Sequence, residues 1–219
     1  MTSSLGSWFL ALRPKTLTAA LVPILVATAL VKAMGFTVQW WVSVLALLAS
    51  FFIQIATNLI NDAIDFDKGA DSETRTGPKR VTQSGLLTRK QVMTGAGLFL
   101  AAAFACGVPL VMQGGLPIVV IGVLSLALAY GYTGGPFPLA YLGLGDLFVI
   151  LFFGLIAVGG TYFLHTGFYT DLVFYAGLQV GFLATVLIAI NNLRDAPEDA
   201  NVGKKTLAVR FGQKFAKLE

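Results

Sequence analysis

Six long apolar runs alternate with polar breaks along this chain, at about 8–33, 38–60, 91–112, 116–134, 145–165 and 170–192. A helix needs about 20 predominantly apolar residues to cross a bilayer. Runs of this length read as helices, so the pattern predicts an all-α, multi-pass transmembrane helical bundle of six spans. The breaks differ in kind. Gln113-Gly114-Gly115-Leu116-Pro117 is a plain turn signal, whereas 61–90 is a long polar stretch dense in acids, bases and amides. Long connections of that kind are often functional. The stretch 130–146 carries one carboxylate, Asp146, no basic residue, and Tyr130, Tyr132 and Tyr141, which read as interfacial aromatics or, for one of them, as pocket lining.

Composition strengthens the membrane reading. Apolar residues make up 56% and charged residues 12%, with a mean hydropathy of +0.79, outside the range of soluble domains. The 24 glycines suit close helix approach in lipid. Trp40 and Trp41 are placed as interfacial aromatics at a turn. His165, with Tyr162 and Tyr169, is placed at the same far interface. Arg13, Pro14 and Lys15 interrupt the first apolar run, which argues against a cleavable signal peptide. The single cysteine, Cys106, lies mid-span and excludes an intramolecular disulfide or a cysteine metal site.

The net charge of +4 says more by position than by sum. Fourteen of the fifteen Lys and Arg fall at the N-terminus, in 68–90, or after residue 193; Lys32 is the exception. By the positive-inside rule the N-terminus and these basic segments are expected on the cytoplasmic face of the cell (inner) membrane. Six spans return the chain to that face, so the topology is self-consistent. With no basic, aromatic-interleaved patch outside these loops, nucleic acid is not an expected partner.

Two acidic–amide clusters stand where spans end. The first is Asn58-Leu59-Ile60-Asn61-Asp62-Ala63-Ile64-Asp65, running on to Asp71; the second is Asn191-Asn192-Leu193-Arg194-Asp195, running on to Asp199. Carboxylates at that depth are expensive and usually functional. If the second span continues to about residue 66, Asn58, Asn61, Asp62 and Asp65 share one face. Asp195 and Asp199 share another, with Pro197 between them. Hard oxygen donors of this kind suit Mg2+ better than zinc or copper. Such an ion is commonly held by one or two carboxylates plus substrate phosphates, which points to a phosphorylated ligand. Lys79, Arg80, Arg194 and Lys204 lie beside the clusters and are candidates to bind a diphosphate. Either cluster alone could be a helix cap. Asp146 reads equally as a helix N-cap or a substrate contact.

These residues resemble a known family. Asn61-Asp62-Ala63-Ile64-Asp65 with Lys68-Gly69-Ala70-Asp71 resembles the first aspartate-rich motif of UbiA-type intramembrane prenyltransferases. Gly77-Pro78-Lys79-Arg80-Val81-Thr82-Gln83-Ser84-Gly85, Tyr141-Leu142-Gly143-Leu144-Gly145-Asp146, and Asn191-Asn192-Leu193-Arg194-Asp195 with Gly203-Lys204-Lys205-Thr206 look like segments of the branch acting on 1,4-dihydroxy-2-naphthoate. The resemblance spans nearly the whole chain and implies one membrane prenyltransferase domain over 1–219. It implies transfer of a polyprenyl group from a polyprenyl diphosphate to 1,4-dihydroxy-2-naphthoate with loss of CO2, giving demethylmenaquinone. It also implies Mg2+ as cofactor. Asp62, Asp65, Asp195 and Asp199 are then the catalytic metal contacts, supported by Asn61, Asp71 and Asn192, with Lys79, Arg80, Arg194 and Lys204 on the diphosphate or carboxylate. Gly69 stands where the wider superfamily has its last aspartate, and Asp71 follows it. The family usually has about nine spans, so the domain is expected to be incomplete at its C-terminus. The alternatives are another aromatic acceptor, such as 4-hydroxybenzoate or homogentisate, or a cation-coupled transporter. A transporter predicts broken helices at mid-membrane and gives no reason for the basic loop.

Overall fold

A computed structural model describes residues 4–70 and 77–218; Asp71 and Glu73 lie outside the described residues. Among these, the chain is helical with no strand. The first apolar run is broken by its own charges. Helix α1 (Ser4–Leu12) and helix α2 (Leu17–Ala33) meet at a 3-10 turn, Pro14–Thr16. Arg13 before it has a φ of 50°, the one positive φ outside glycine among the described residues. That conformation costs an ordinary residue roughly 1–2 kcal/mol, and strain of this sort points towards function.

Helix α3 (Trp40–Asp67) starts with Trp40 and Trp41 exposed. It runs past the end of its apolar segment, so the first acidic cluster sits on helix and not on loop. Helix α4 (Arg89–Gly114) opens on a capping box: the Thr88 hydroxyl accepts from the Gln91 amide, and the Gln91 side chain accepts from the Thr88 amide. Helix α5 (Leu116–Gly131) has 16 residues, about 24 Å at 1.5 Å per residue. It is the short member of the expected six. The other five expected spans each lie on a helical stretch long and apolar enough to cross a membrane, and the protein is a multi-pass membrane bundle.

Two short helices, α6 (Leu139–Leu142) and α7 (Gly145–Val149), lead through a π-helical segment, Ile150–Ile156, into α8 (Ala157–Thr166). Helix α9 (Asp171–Asn201) packs on the π segment backbone to backbone. A Cβ at Gly154 would stand 2.4 Å from the Gly177 carbonyl oxygen and 2.9 Å from the Gly181 Cα. No side chain larger than hydrogen fits there, which is the small-residue contact expected in lipid. Pro197 lies inside α9 without ending it. The basic tail is ordered as helix α10 (Leu207–Leu218), kinked at Gly212.

At the end of the bundle where α8 finishes, His165 is held by the start of α3. The Gln39 amide donates to its Nδ1 at 3.2 Å, and its Nε2 lies 3.1 Å from the Ser43 hydroxyl. Ser43 is 2.9 Å from the Thr28 hydroxyl, which donates to the Ile24 carbonyl. A backbone N–H cannot turn away, so Nδ1 accepts and Nε2–H donates. The chain of bonds therefore has a single direction. Tyr162, expected at the interface, is fully buried, with its hydroxyl donating to the Met34 sulfur at 3.2 Å. Its ring packs edge-on against Phe36 and Phe168.

Candidate active site

Helices α3 and α9 bring their C-terminal turns to one cavity of about 220 Å³. A helix C-terminus carries partial negative charge from its unpaired carbonyls, so two such ends and their carboxylates favour cations. Asn61 and Asp65 line the cavity from α3, and Asn191, Asn192, Arg194, Asp195 and Asp199 line it from α9. Asn61 and Asp65 share this face because α3 stays helical to Asp67, whereas Asn58 and Asp62, expected on the same face, bond to other segments. Asp195 and Asp199 share theirs because α9 continues through Pro197.

Asp62 stands apart. Its Oδ2 accepts from the Val81 amide at 3.2 Å and its Oδ1 from the Thr82 amide at 3.0 Å, and it does not line the cavity. The Arg13 guanidinium lies 3.8 Å from it. Its carboxylate anchors the segment after Pro78, which Val81 and Leu87 pin to α3 and α4 through the apolar cluster around Leu59 and Ala63. The anchored segment turns Arg80 inward, 8% exposed, with its Nη2 3.4 Å from Asp65 Oδ2. Lys79, one residue earlier, is exposed and off the cavity wall. The Asn58 amide donates to the Leu12 carbonyl and the Thr16 hydroxyl, tying α3 to the turn at Arg13.

Asp65 joins three other segments. Its Oδ1 accepts from the Tyr141 hydroxyl at 3.0 Å, while its Oδ2 faces Arg80 and the Lys204 ammonium, each at 3.4 Å. Lys204 also reaches Asp199 Oδ1 at 3.4 Å. Arg194 forks onto its neighbour Asp195 at 2.6 and 2.8 Å. Asn61 accepts from the Thr133 hydroxyl. The Tyr141 ring lies under the Lys68 ammonium at 3.7 Å and within 5.1 Å of Lys204. Lys68 donates to the Thr133 carbonyl at 2.9 Å.

The tyrosine-bearing connection is stitched to the segment after the second cluster. The Lys205 amide donates to the Tyr141 carbonyl at 3.0 Å, and Arg210 to the Leu142 carbonyl at 2.8 Å. Gly143, at φ 73°, lets the chains pass: a Cβ there would meet the Lys205 carbonyl oxygen at 2.2 Å. Asp146 is buried in the cavity wall, in the first turn of α7, whose N-cap is Leu144. The cap reading of Asp146 is thereby overturned. Tyr132 lines the same wall. Burial, with Asp146, Asp65 and Asp199 nearby, raises its phenol pKa above the usual value, so the hydroxyl remains a donor.

Of the eleven residues that sequence reasoning assigned to the site, the fold gathers Asn61, Asp65, Asn192, Asp195, Asp199, Arg80, Arg194 and Lys204 on one wall, leaves Asp62 and Lys79 off it, and Asp71 lies outside the described residues. Sequence reasoning overlooked Arg13 and Thr16, which line the cavity, and gave Tyr132 and Tyr141 mainly to the interface. The break Arg13-Pro14-Lys15 in an apolar run was the available signal for the first pair. Among the described residues the wall carries four carboxylates (Asp65, Asp146, Asp195, Asp199) and four basic side chains (Arg13, Arg80, Arg194, Lys204).

No three His, Cys, Asp or Glu side chains among the described residues approach closely enough to enclose a metal unaided. The oxygen donors of Asp65, Asp195, Asp199, Asn61 and Asn192 nevertheless fit a hard divalent ion. Such an ion usually takes only one or two carboxylates and completes its shell with water and phosphate.

Fold and cavity together define a multi-pass membrane protein with a charged but balanced pocket at one end of its bundle. The chain belongs to the UbiA prenyltransferase family, which it matches over residues 20–218. It is 38% identical to the 1,4-dihydroxy-2-naphthoate octaprenyltransferase of Haemophilus influenzae, over 97% of this chain and 71% of that protein. The enzyme of the same description from Escherichia coli is 35% identical, over 94% of this chain and 69% of its own length. The 2-carboxy-1,4-naphthoquinone phytyltransferase of Synechocystis is 31% identical, over 95% and 67%.

Proposed function

We propose that the protein transfers a polyprenyl group from a polyprenyl diphosphate to 1,4-dihydroxy-2-naphthoate, releasing diphosphate and CO2 and giving demethylmenaquinol, the hydroquinone form of demethylmenaquinone, for menaquinone biosynthesis. The observation that carries this reading is the meeting of the two acidic–amide helix ends and four basic side chains on one cavity. Relatives named for naphthoate or naphthoquinone substrates, at 31–38% identity over nearly the whole chain, support the acceptor. Their names differ in the transferred tail, octaprenyl or phytyl, so they support a polyprenyl donor without fixing its length.

Asp65, Asp195 and Asp199, with Asn61 and Asn192, are the residues that would hold Mg2+. When bound, the ion supplies Lewis-acid stabilisation of the departing diphosphate. The chain's own contribution is positional and electrostatic. Arg80, Arg194, Lys204 and Arg13 line the pocket as partners for diphosphate oxygens. Asp62 works at one remove, holding the segment that presents Arg80. Asp71, outside the described residues, is a further candidate metal contact, and exposed Lys79 a candidate for the first encounter with the anion.

In the reaction the allylic C–O bond breaks with its electron pair leaving on diphosphate, and the ring carbon bearing the carboxylate forms the new C–C bond. The C–CO2 bond then breaks and returns its pair to the ring. The surrounding apolar helices keep water from the allylic cation. The distribution of Lys and Arg supports a cytoplasmic N-terminus and a cavity opening to the cytoplasm.

The test is transfer by the chain in membranes, given a labelled polyprenyl diphosphate, Mg2+ and a panel of aromatic acids. A prenylated 1,4-naphthalenediol with release of CO2, lost on chelation and restored by Mg2+, is the expected result. Transfer to 4-hydroxybenzoate or homogentisate alone would refute the acceptor.

A further inference from the structure

Lys204 occupies a position with a consequence for how ligands enter. Its ammonium is 3.4 Å from Asp65 Oδ2 on α3 and 3.4 Å from Asp199 Oδ1 on α9, so one monovalent cation bridges the two acidic motifs. The tether is short and ordered. The Lys204 amide donates to the Asp199 carbonyl at 3.0 Å, in a turn that passes through Gly203 at φ 74°. The Tyr141 ring lies 5.1 Å from the ammonium, and the Tyr141 hydroxyl holds the other oxygen of Asp65 at 3.0 Å.

Any cation that enters between Asp65 and Asp199 has to displace this ammonium. The wall has as many basic side chains as carboxylates among the described residues. A divalent ion alone would therefore add uncompensated positive charge and leave Lys204 without a partner. A diphosphate alone would add about three negative charges beside four carboxylates. Arriving together, the two nearly cancel, and the diphosphate offers Lys204 new oxygens.

We propose that Lys204 is a tethered stand-in for the divalent cation: it holds Asp65 and Asp199 together and yields them only when metal and diphosphate bind as a pair. Tyr141, fixed to Asp65, is the ring face beside which the ammonium moves. This rests on the metal–diphosphate reading of the cavity and goes beyond it, because it makes Lys204 oppose metal binding and not merely contact the anion.

The experiment measures Mn2+ and labelled inorganic diphosphate retained by the full chain in nanodiscs on ultrafiltration, separately and together, against empty nanodiscs. For the unsubstituted protein, diphosphate is expected to raise Mn2+ affinity by about thirtyfold, and Mn2+ to raise diphosphate affinity by the same factor, as linkage requires. In Lys204→Met, Mn2+ alone should bind about tenfold tighter and the coupling should shrink. Lys204→Arg, which keeps the charge, should retain weak binding of the metal alone. Lys204→Gln serves in place of Met if Met does not fold, as judged by the thermal midpoint.

Metal-alone affinity within twofold of the unsubstituted protein in both neutral variants, or weaker, overturns the proposal while leaving the cavity reading intact. If the unsubstituted protein retains neither ligand in any combination, the metal–diphosphate reading falls and this proposal with it.

Discussion

The two acidic motifs look alike in sequence and differ in what their carboxylates touch. In the second, Asp195 and Asp199 both line the cavity, one paired with Arg194 and the other with Lys204. In the first, among the described residues, only Asp65 does; Asp62 spends both oxygens on the backbone amides of Val81 and Thr82. The difference follows from what comes next. After the second motif the chain turns at once and returns Lys204 to its own helix end. After the first, the segment from Gly77 onward is held against α3, and a buried carboxylate is what holds it. Matching spacing therefore does not mean matching duty: one motif supplies two ligand-facing acids, and the other supplies one acid and one anchor.

Substitutions can separate those duties. The largest effect is expected from Asp65→Ala and Asp195→Ala, which should each lower prenyl transfer about a hundred- to a thousandfold, Asp65→Ala with a lowered thermal midpoint as well because it strands the buried Arg80 and Lys204. Equal activity in either variant would remove that residue from the site. Asp62→Asn should act mainly on structure. It keeps the volume but loses a charged acceptor of two amides, so about 2–3 kcal/mol of local stability should go. Faster hydrogen exchange and proteolysis across 77–88 should accompany any fall in activity, and a fall without them would make Asp62 a cavity residue after all.

The smallest effect concerns Tyr132. Burial first, then Asp146, Asp65 and Asp199, raise its pKa, so its contribution to stability is intact below the ordinary tyrosine value of about 10 and declines as pH rises beyond it. The difference spectrum between the unsubstituted protein and Tyr132→Phe should show no phenolate step below about pH 10. A step there would mean that the carboxylates around the cavity do not act on this phenol.

Much of this was legible because lipid leaves few choices. Long apolar runs had to become helices, and charge at their ends had to be justified, so Asp65, Asp195 and Asp199 could be picked from the chain. The helix ends were harder. Sequence hydropathy stops near residue 60, but α3 continues to Asp67 because its polar face has partners in Arg80, Tyr141 and Thr133. Those partners come from distant segments, and no local pattern announces them. For the same reason Tyr141 looked like any interfacial tyrosine until the 139–146 connection was seen stitched to Lys205 and Arg210. Arg13 was read only as an interruption, since its aim into the cavity depends on a backbone angle that sequence does not display.

The contact between Gly154 and the pair Gly177 and Gly181 gives α9 the character of a clamped beam. Its fixed point is backbone against backbone. From Gly181 to Asp195 the helix runs about 21 Å at 1.5 Å per residue, so a tilt of about 5° at the clamp would swing the carboxylate by nearly 2 Å. Displacements of about 1 Å can cost a hundredfold in rate. A single methyl group added at Gly181, far from any charged atom, is thus a way to misalign the chemistry by leverage, leaving every residue of the pocket in place along the chain and out of place in space.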